Sequence, residues 1–420
     1  MQTGLERSKA PPRDAGAKGA EGRHLPGQGS SPVSGDPSGE SLIMSAGHLS
    51  THQMMFLLVF VYAGKLLFMF PALMSGRVGS SAWIASTLAV GVELLGVWGW
   101  ILWAKATGTE GFVPSVRRSL GRIAGDAVVF FVIAVFILLE AMNIRMFSSG
   151  AVIGLLPEYP VSVIIAISII SSLYAAWLGP ETVGRAAGLL VVPSLLSVAV
   201  VILGMLQSFH FDNVLPIWGL GFKTTLLQGI LAGGAFAGGP MVGVMKSYVR
   251  DSREFPRRAI LSIVVGGLAL VVGIFSLEAI FPYPMVSRTI EPLGILARSV
   301  SLGRFLQRLE AVFVFSWFFA ANIQASFLSV LTLLLMSQLC NTETYRPFIP
   351  SLATLTFGIA SIPANTLRSA QILDAYLTHG AGYVLLVLGW VLYGMAKMRG
   401  AALAGHVVDI GQRGNREASR

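Results

Sequence analysis

Gly229-Ile-Leu-Ala-Gly233-Gly234-Ala235-Phe236-Ala237-Gly238-Gly239-Pro240 holds five glycines and a proline in twelve residues, inside a long apolar segment. Glycine and proline both weaken a helix interior. In hydrocarbon, a backbone N–H or C=O that loses its helical partner costs several kcal/mol. A helix interrupted at membrane depth therefore survives only where it lines a cavity or is buried in protein. Transporters place small-solute sites at such breaks. The stretch thus predicts a broken membrane helix beside a solute site near the bilayer midplane.

Composition supports the membrane reading. Of 420 residues, 54% are hydrophobic and 12% charged, against about 25% charged in soluble domains. The mean hydropathy is +0.70. The net charge of +9 is no nucleic-acid signal, because the basic residues flank apolar segments, which is the membrane-orientation pattern. One cysteine, Cys340, excludes internal disulfides and cysteine-rich metal sites; it reads as a packing residue near a helix end. Residues 1–47 are polar, rich in glycine and proline, and predicted to be disordered. They contain no apolar core of a signal peptide. Met44 is an alternative start, in which case residues 1–43 are never made.

Apolar windows of about 20 residues give ten spans, near 52–73, 82–104, 125–147, 159–178, 184–206, 222–245, 259–281, 309–336, 348–364 and 380–397. Residues 48–400 form the membrane domain and 401–420 a basic cytoplasmic tail. Lys105, Arg117, Arg118, Arg122, Arg185, Lys246, Arg250, Arg253, Arg257, Arg258, Arg346, Lys397 and Arg399 fall on one side, favouring both termini inside. The arginines at 288, 298, 304 and 308 oppose this bias. Their loop has an amphipathic pattern and is read as a surface helix facing headgroups or a partner. The ten spans divide into five and five, so the first and sixth correspond. The sixth carries the glycine run; the first carries Ala63-Gly64-Lys65 at mid-span and Pro71 near its end. Interruptions at matching positions of two halves point to an inverted repeat with its site between them. Tight packing through small residues is the alternative.

The segment from Gly303 through Arg304-Phe305-Leu306-Gln307-Arg308 to Trp317 resembles the entry to the eighth helix of spore-germination permeases, the GerAB-type B subunits of endospore germinant receptors. Tyr345-Arg346-Pro347-Phe348-Ile349-Pro350 is similar to their entry into helix nine. The opening Leu49-Ser50-Thr51-His52-Gln53 and the sequence Lys246-Ser247-Tyr248-Val249-Arg250-Asp251 after the glycine run also fit. The resemblance covers about residues 45–400. It implies the amino acid–polyamine–organocation superfamily and an all-α, LeuT-like 5+5 inverted repeat with helices 1 and 6 broken. It also implies a germinant-sensing subunit in the spore inner membrane, with A- and C-type partner subunits and an amino acid as the usual germinant. Family members often carry an acidic residue just after the sixth-helix glycines, where this chain has Pro240. An acidic ligand contact there is not expected.

Ionisable groups deep in a span are functional candidates by default. Lys65 sits beside Gly64; it can meet a ligand carboxylate, replace a coupling cation, or pair with Glu93 or Glu140. Glu140 and Asn143 lie three apart, hence on one helical face. They and Glu93 are candidates for the ligand site or for gating and ion coupling, with structural pairing the alternative. Arg145 lies near the outer end and can snorkel. Glu278 reads as interfacial. Asn322, Ser326 and Ser329 form a polar stripe on helix eight, either packing or, as the resemblance implies, offering hydroxyls to a cation near helix one. Phe236 is an aromatic gate or a packing residue. The ligand-binding set is Ala63, Gly64, Lys65, Asn143, Gly233, Gly234, Phe236 and Gly238. The half-helix N-terminus after the break offers free N–H groups to an anion without any special side chain.

Two functions fit this pocket: a ligand sensor that signals to partner subunits, and a proton- or sodium-coupled transporter of amino acids or amines, with a channel as a variant of either. An enzyme does not fit. The six histidines lie in tails, loops or span ends, and no His-Glu-x-x-His or Gly-x-Ser-x-Gly occurs. No cofactor, metal or nucleic acid is expected.

Overall fold

A computed structural model describes residues 48–108, 111–249, 253–289, 292–299 and 309–417. The tail at 1–47 and the arginines at 304 and 308 lie outside them. The described chain is almost wholly helical. Leu49 pairs with Val249 in one isolated parallel bridge.

The first span opens on a capping box. Ser50 Oγ accepts from the Gln53 amide at 3.2 Å, and Gln53 Oε1 accepts from the Ser50 amide at 2.8 Å. Helix α1 (Thr51–Ala63) then runs to a 3₁₀ turn at Gly64–Leu67, and the chain resumes as α2 (Phe70–Val78). After it come α3 (Ala82–Thr107), the short α4 (Phe112–Leu120), α5 (Arg122–Gly154), α6 (Val161–Trp177) and α7 (Pro180–Gly204). The glycine run divides α8 (Phe222–Ala232) from α9 (Gly238–Met245) through a 3₁₀ turn at Gly233–Ala235. The chain continues with α10 (Phe255–Ile280), α11 (Tyr283–Arg288), α12 (Pro292–Ser299), α13 (Leu309–Leu339), α14 (Ile349–Ser361), α15 (Thr366–His379) and α16 (Ala381–Glu417). A helix lies in each of the ten apolar windows. Among the described residues, seven stretches are by length and composition long and apolar enough to cross a membrane, and the apolar helices at Thr51–Leu67 and Val161–Trp177 are shorter. Within the 288–308 loop lies α12, whose Leu293 and Leu296 are buried in the core.

Helix α3 is the hub. It packs against α16, α10, α8 and α9, while α1 packs against α10 and α7, and α13 against α5, α7 and α6. Outside this core, Phe130, Ile167, Ile170, Leu189, Leu196 and Leu268 are exposed, as a lipid-facing surface requires. Trp100 of α3 locks the hub. It is fully buried, donates Nε1–H to the Leu385 carbonyl at 2.9 Å, and stacks on Phe112 with centroids 6.0 Å apart. A Cβ on Gly239, Gly243 or Gly389 would strike its ring. These glycines form the notch that admits an indole between α9 and α16, so part of the glycine run serves close packing.

Truncating a large buried aromatic costs about 3–5 kcal/mol. Trp100→Ala is expected to lower the thermal unfolding midpoint in detergent sharply. Trp100→Phe, which keeps an aromatic ring but loses part of its volume and the Leu385 hydrogen bond, is expected to fall between that variant and the native chain.

Candidate functional site

The two breaks face each other. After the 3₁₀ turn, Ala237 takes the left-handed conformation (φ 52°, ψ 28°) and acts as the N-cap of α9. Such a conformation costs an L-residue of this kind about 1–2 kcal/mol, so the chain direction here is imposed by its surroundings. A helix start leaves N–H groups without intrahelical partners. The Gly238 amide finds Glu93 Oε1 of α3 at 2.9 Å, and the Tyr62 hydroxyl at the end of α1 donates to the same oxygen at 3.2 Å. A side chain at 238 would collide with both Tyr62 Oη and Glu93 Oε1. Glu93 and Tyr62 are fully buried. Phe236, also fully buried, lies against Tyr62 (centroids 5.6 Å apart) and Phe70 (5.9 Å). One carboxylate and one aromatic ring thus join break one to break six.

Lys65 occupies the first break and is only 7% exposed. It borders a cavity with Asn143 of α5, Asp374 of α15, and apolar walls from Phe68, Met69, Leu73, Met146 and Leu377. The ammonium makes no hydrogen bond or ion pair among the described residues, although Glu93 and Asp374 are within electrostatic reach. Asn143 Nδ2 also lacks a partner. Asp374 is held from the other side. Arg77 of α2 forms a two-pronged pair with it, with Nη1 donating to Oδ1 at 3.1 Å and Nη2 to Oδ2, and Thr378 Oγ1 donates to Oδ1 at 2.8 Å. Helix α15 carries Asp374 across the 233–235 turn and against α5, which makes it a roof over the cavity. It starts where Asn365 caps the Arg368 amide at 2.8 Å.

The other sequence candidates divide between these features and their surroundings. Lys65 and Asn143 meet at the cavity. Ala63 and Gly64 instead face a separate apolar groove. Gly233 and Gly234 are close-approach points, where a Cβ would press on Val92 and on the Leu377 carbonyl respectively. Ser329 donates to Glu140 Oε1 at 2.6 Å, pairing α13 with α5, while Glu140 Oε2 has no partner. Ser326 bonds back to the Asn322 carbonyl at 2.7 Å within its own helix, and Asn322 Oδ1 is buried without a partner. Glu278 is not interfacial. It is fully buried, accepts from Ser75 Oγ at 3.0 Å, and lies against the amides that begin α3. Asp374 and its partner Arg77 are the site residues the sequence reading missed. Asp374 falls in a polar stretch between apolar windows, where a single carboxylate carries no signal of its own. Among the described residues, no cluster of three or more His, Cys, Asp or Glu could hold a metal.

Removing the Glu93 side chain strands a buried amide and a buried hydroxyl, each at about 1–3 kcal/mol. Glu93→Ala is expected to be markedly less stable in thermal unfolding than Glu93→Gln, which keeps an acceptor oxygen in the same place. Equal stability of the two variants would mean that the carboxylate does not tie the breaks together.

A family model described as "Spore germination protein" matches residues 48–368. The chain is 24% identical over 248 residues to the "Putative spore germination protein YfkT" of Bacillus subtilis (strain 168), covering 59% of this chain and 68% of that protein. Among solved structures it is similar to MhsT in complex with L-phenylalanine, with a TM-score of 0.60 and 14% identity over 83% of this chain and 89% of that one. The fold is therefore transporter-like, in a multi-pass membrane protein. With the match running over most of its length, the chain belongs to the spore germination permease family.

Proposed function

We propose that this protein is a sensing subunit of the germination apparatus that binds a free amino acid in the cavity beneath α15 and signals through the two breaks. The observation that carries the reading is the unpaired Lys65 ammonium converging with the unpartnered Asn143 amide on one cavity. Two donors in a low-dielectric site favour a carboxylate. Asp374, across the same cavity, offers an acceptor for an α-ammonium, and the Phe68, Leu73 and Met146 walls suit an apolar side chain. Small-solute sites combine apolar walls with a few placed polar groups in this way. The phenylalanine bound by MhsT is chemistry of the same class.

In this reading ten spans form a 5+5 inverted repeat with both termini cytoplasmic, and A- and C-type subunits receive the signal. No covalent chemistry occurs. Residues 48–400 are the membrane domain, in the spore inner membrane. Glu140 with Ser329, and Asn322 with Ser326, serve gating between α5 and α13. Ligand binding needs only to favour one arrangement of α2 and α15 over another. An incoming zwitterion competes with Arg77 for Asp374, which couples occupancy to the roof.

The detergent-purified protein is expected to be stabilised by at least one apolar amino acid, by about 2.7 kcal/mol at 100 times its dissociation constant. Lys65→Met is expected to weaken that response about 10- to 100-fold in concentration, the worth of a charge-assisted hydrogen bond, while Cys340→Ser responds as the native chain does. A Lys65→Met variant that responds normally would overturn the pocket assignment. Concentrative uptake of the same amino acid by proteoliposomes would replace the sensor by the coupled transporter.

A further inference from the structure

A second cavity lies on the opposite side of the first break. It is a groove between α7, α10 and α1, floored by Ala63, Gly64 and Leu67 and walled by Leu195 and Ala199 of α7 and Ala269 of α10. Its lining includes no charged residue, and Ser194 is its one polar side chain. Helices α7 and α10 are both long and apolar enough to cross a membrane. Of the groove's lining residues, Leu203 on α7 and Leu268 and Val272 on α10 are exposed. The mouth therefore opens sideways at hydrocarbon depth. Pro193, inside α7, cannot complete the helical hydrogen bond to residue 189 and crowds that carbonyl. Prolines in this position bend a helix, which favours a gap over close packing beside α1.

We infer that this groove takes one acyl chain of a membrane lipid, seated against the 3₁₀ turn at Gly64–Leu67. A water-soluble solute cannot reach a mouth that faces hydrocarbon, and it would find no hydrogen-bond partners apart from Ser194. A polar or charged headgroup has no partner inside the groove either. An acyl chain needs none, and filling an apolar gap recovers the dispersion contacts that the lining residues otherwise lose. The seated chain is a structural ligand distinct from ordinary surrounding lipid, because it touches the backbone of the first break. This inference does not depend on the amino-acid pocket.

The test uses the full chain in nanodiscs doped with a phosphatidylcholine carrying a photoactivatable diazirine on one acyl chain, with adducts mapped by mass spectrometry. Adducts per residue are expected to be several-fold denser on Ala63, Gly64, Leu66, Leu67, Leu195 and Ala199 than on Ile167 and Ile170, which are exposed on the outer face of α6. Filling the groove with Ala199→Trp or Ala269→Trp is expected to remove the excess and leave α6 labelling unchanged. Native-chain labelling no denser in the groove than on α6 would overturn the inference, and this result needs no variant to fold. Excess labelling that survives both tryptophans would overturn it too.

Discussion

A single carboxylate oxygen, Glu93 Oε1, receives the Gly238 amide that starts α9 and the Tyr62 hydroxyl that ends α1. Two interrupted helices must hide their free backbone groups from lipid, and neither can do so alone. Placing the acceptor on α3, the helix that touches both α9 and α10 and carries Trp100 into the glycine notch, makes the two breaks one structural unit. The strained Ala237 and the glycine at 238 follow from this. The chain must turn sharply enough to aim an amide at Glu93, and no side chain fits in the space that remains.

Charge is distributed around that unit in an uneven way. Among the described residues, Glu93 is bonded at one oxygen only, Lys65 makes no ion pair, and Asp374 is engaged by Arg77 and Thr378. Burying an unpaired ion is costly, and a cavity that holds one is poised to gain from an oppositely charged ligand. The same arrangement gives the roof helix α15 two alternatives for its aspartate. It keeps the Arg77 pair in this structure, and in the proposed reading would share Asp374 with a cation in the cavity. Interfaces with two discrete arrangements of this kind turn a small ligand into a larger shift.

Periodicity and composition carried the helical architecture because hydrocarbon leaves few options for a backbone. The break at 233–237 was legible because glycine and proline density has one physical meaning inside an apolar span. Lys65, Glu93 and Asn143 were legible because a polar group at membrane depth needs a reason. The individual glycines were harder to read. Gly233 and Gly234 were expected to touch ligand but sit where α3 and α15 approach closely, and spacing cannot separate a ligand from a neighbouring helix. Glu278 looked interfacial by its place in the span, since nothing in the linear chain records that α2 and the start of α3 fold over it. Asp374 stayed hidden because its significance comes entirely from Arg77, 297 residues away.

The first break has two faces with opposite chemistry. Within four residues, Lys65 turns toward the cavity it shares with Asn143 and Asp374, while Gly64, Leu66 and Leu67 border an apolar groove whose one polar side chain is Ser194. A 3₁₀ turn makes this possible, because three residues per turn send neighbours to different sides within a few ångströms. The turn is also the weakest part of the helix, since its hydrogen-bond geometry is poorer than that of the flanking α-turns. Anything that tightens or unwinds Gly64–Leu67 must move both faces together. In the proposed reading, a solute drawing on Lys65 and a hydrocarbon chain pressing on Gly64 would act on the same few torsions, and each would feel the other without any longer route through the fold.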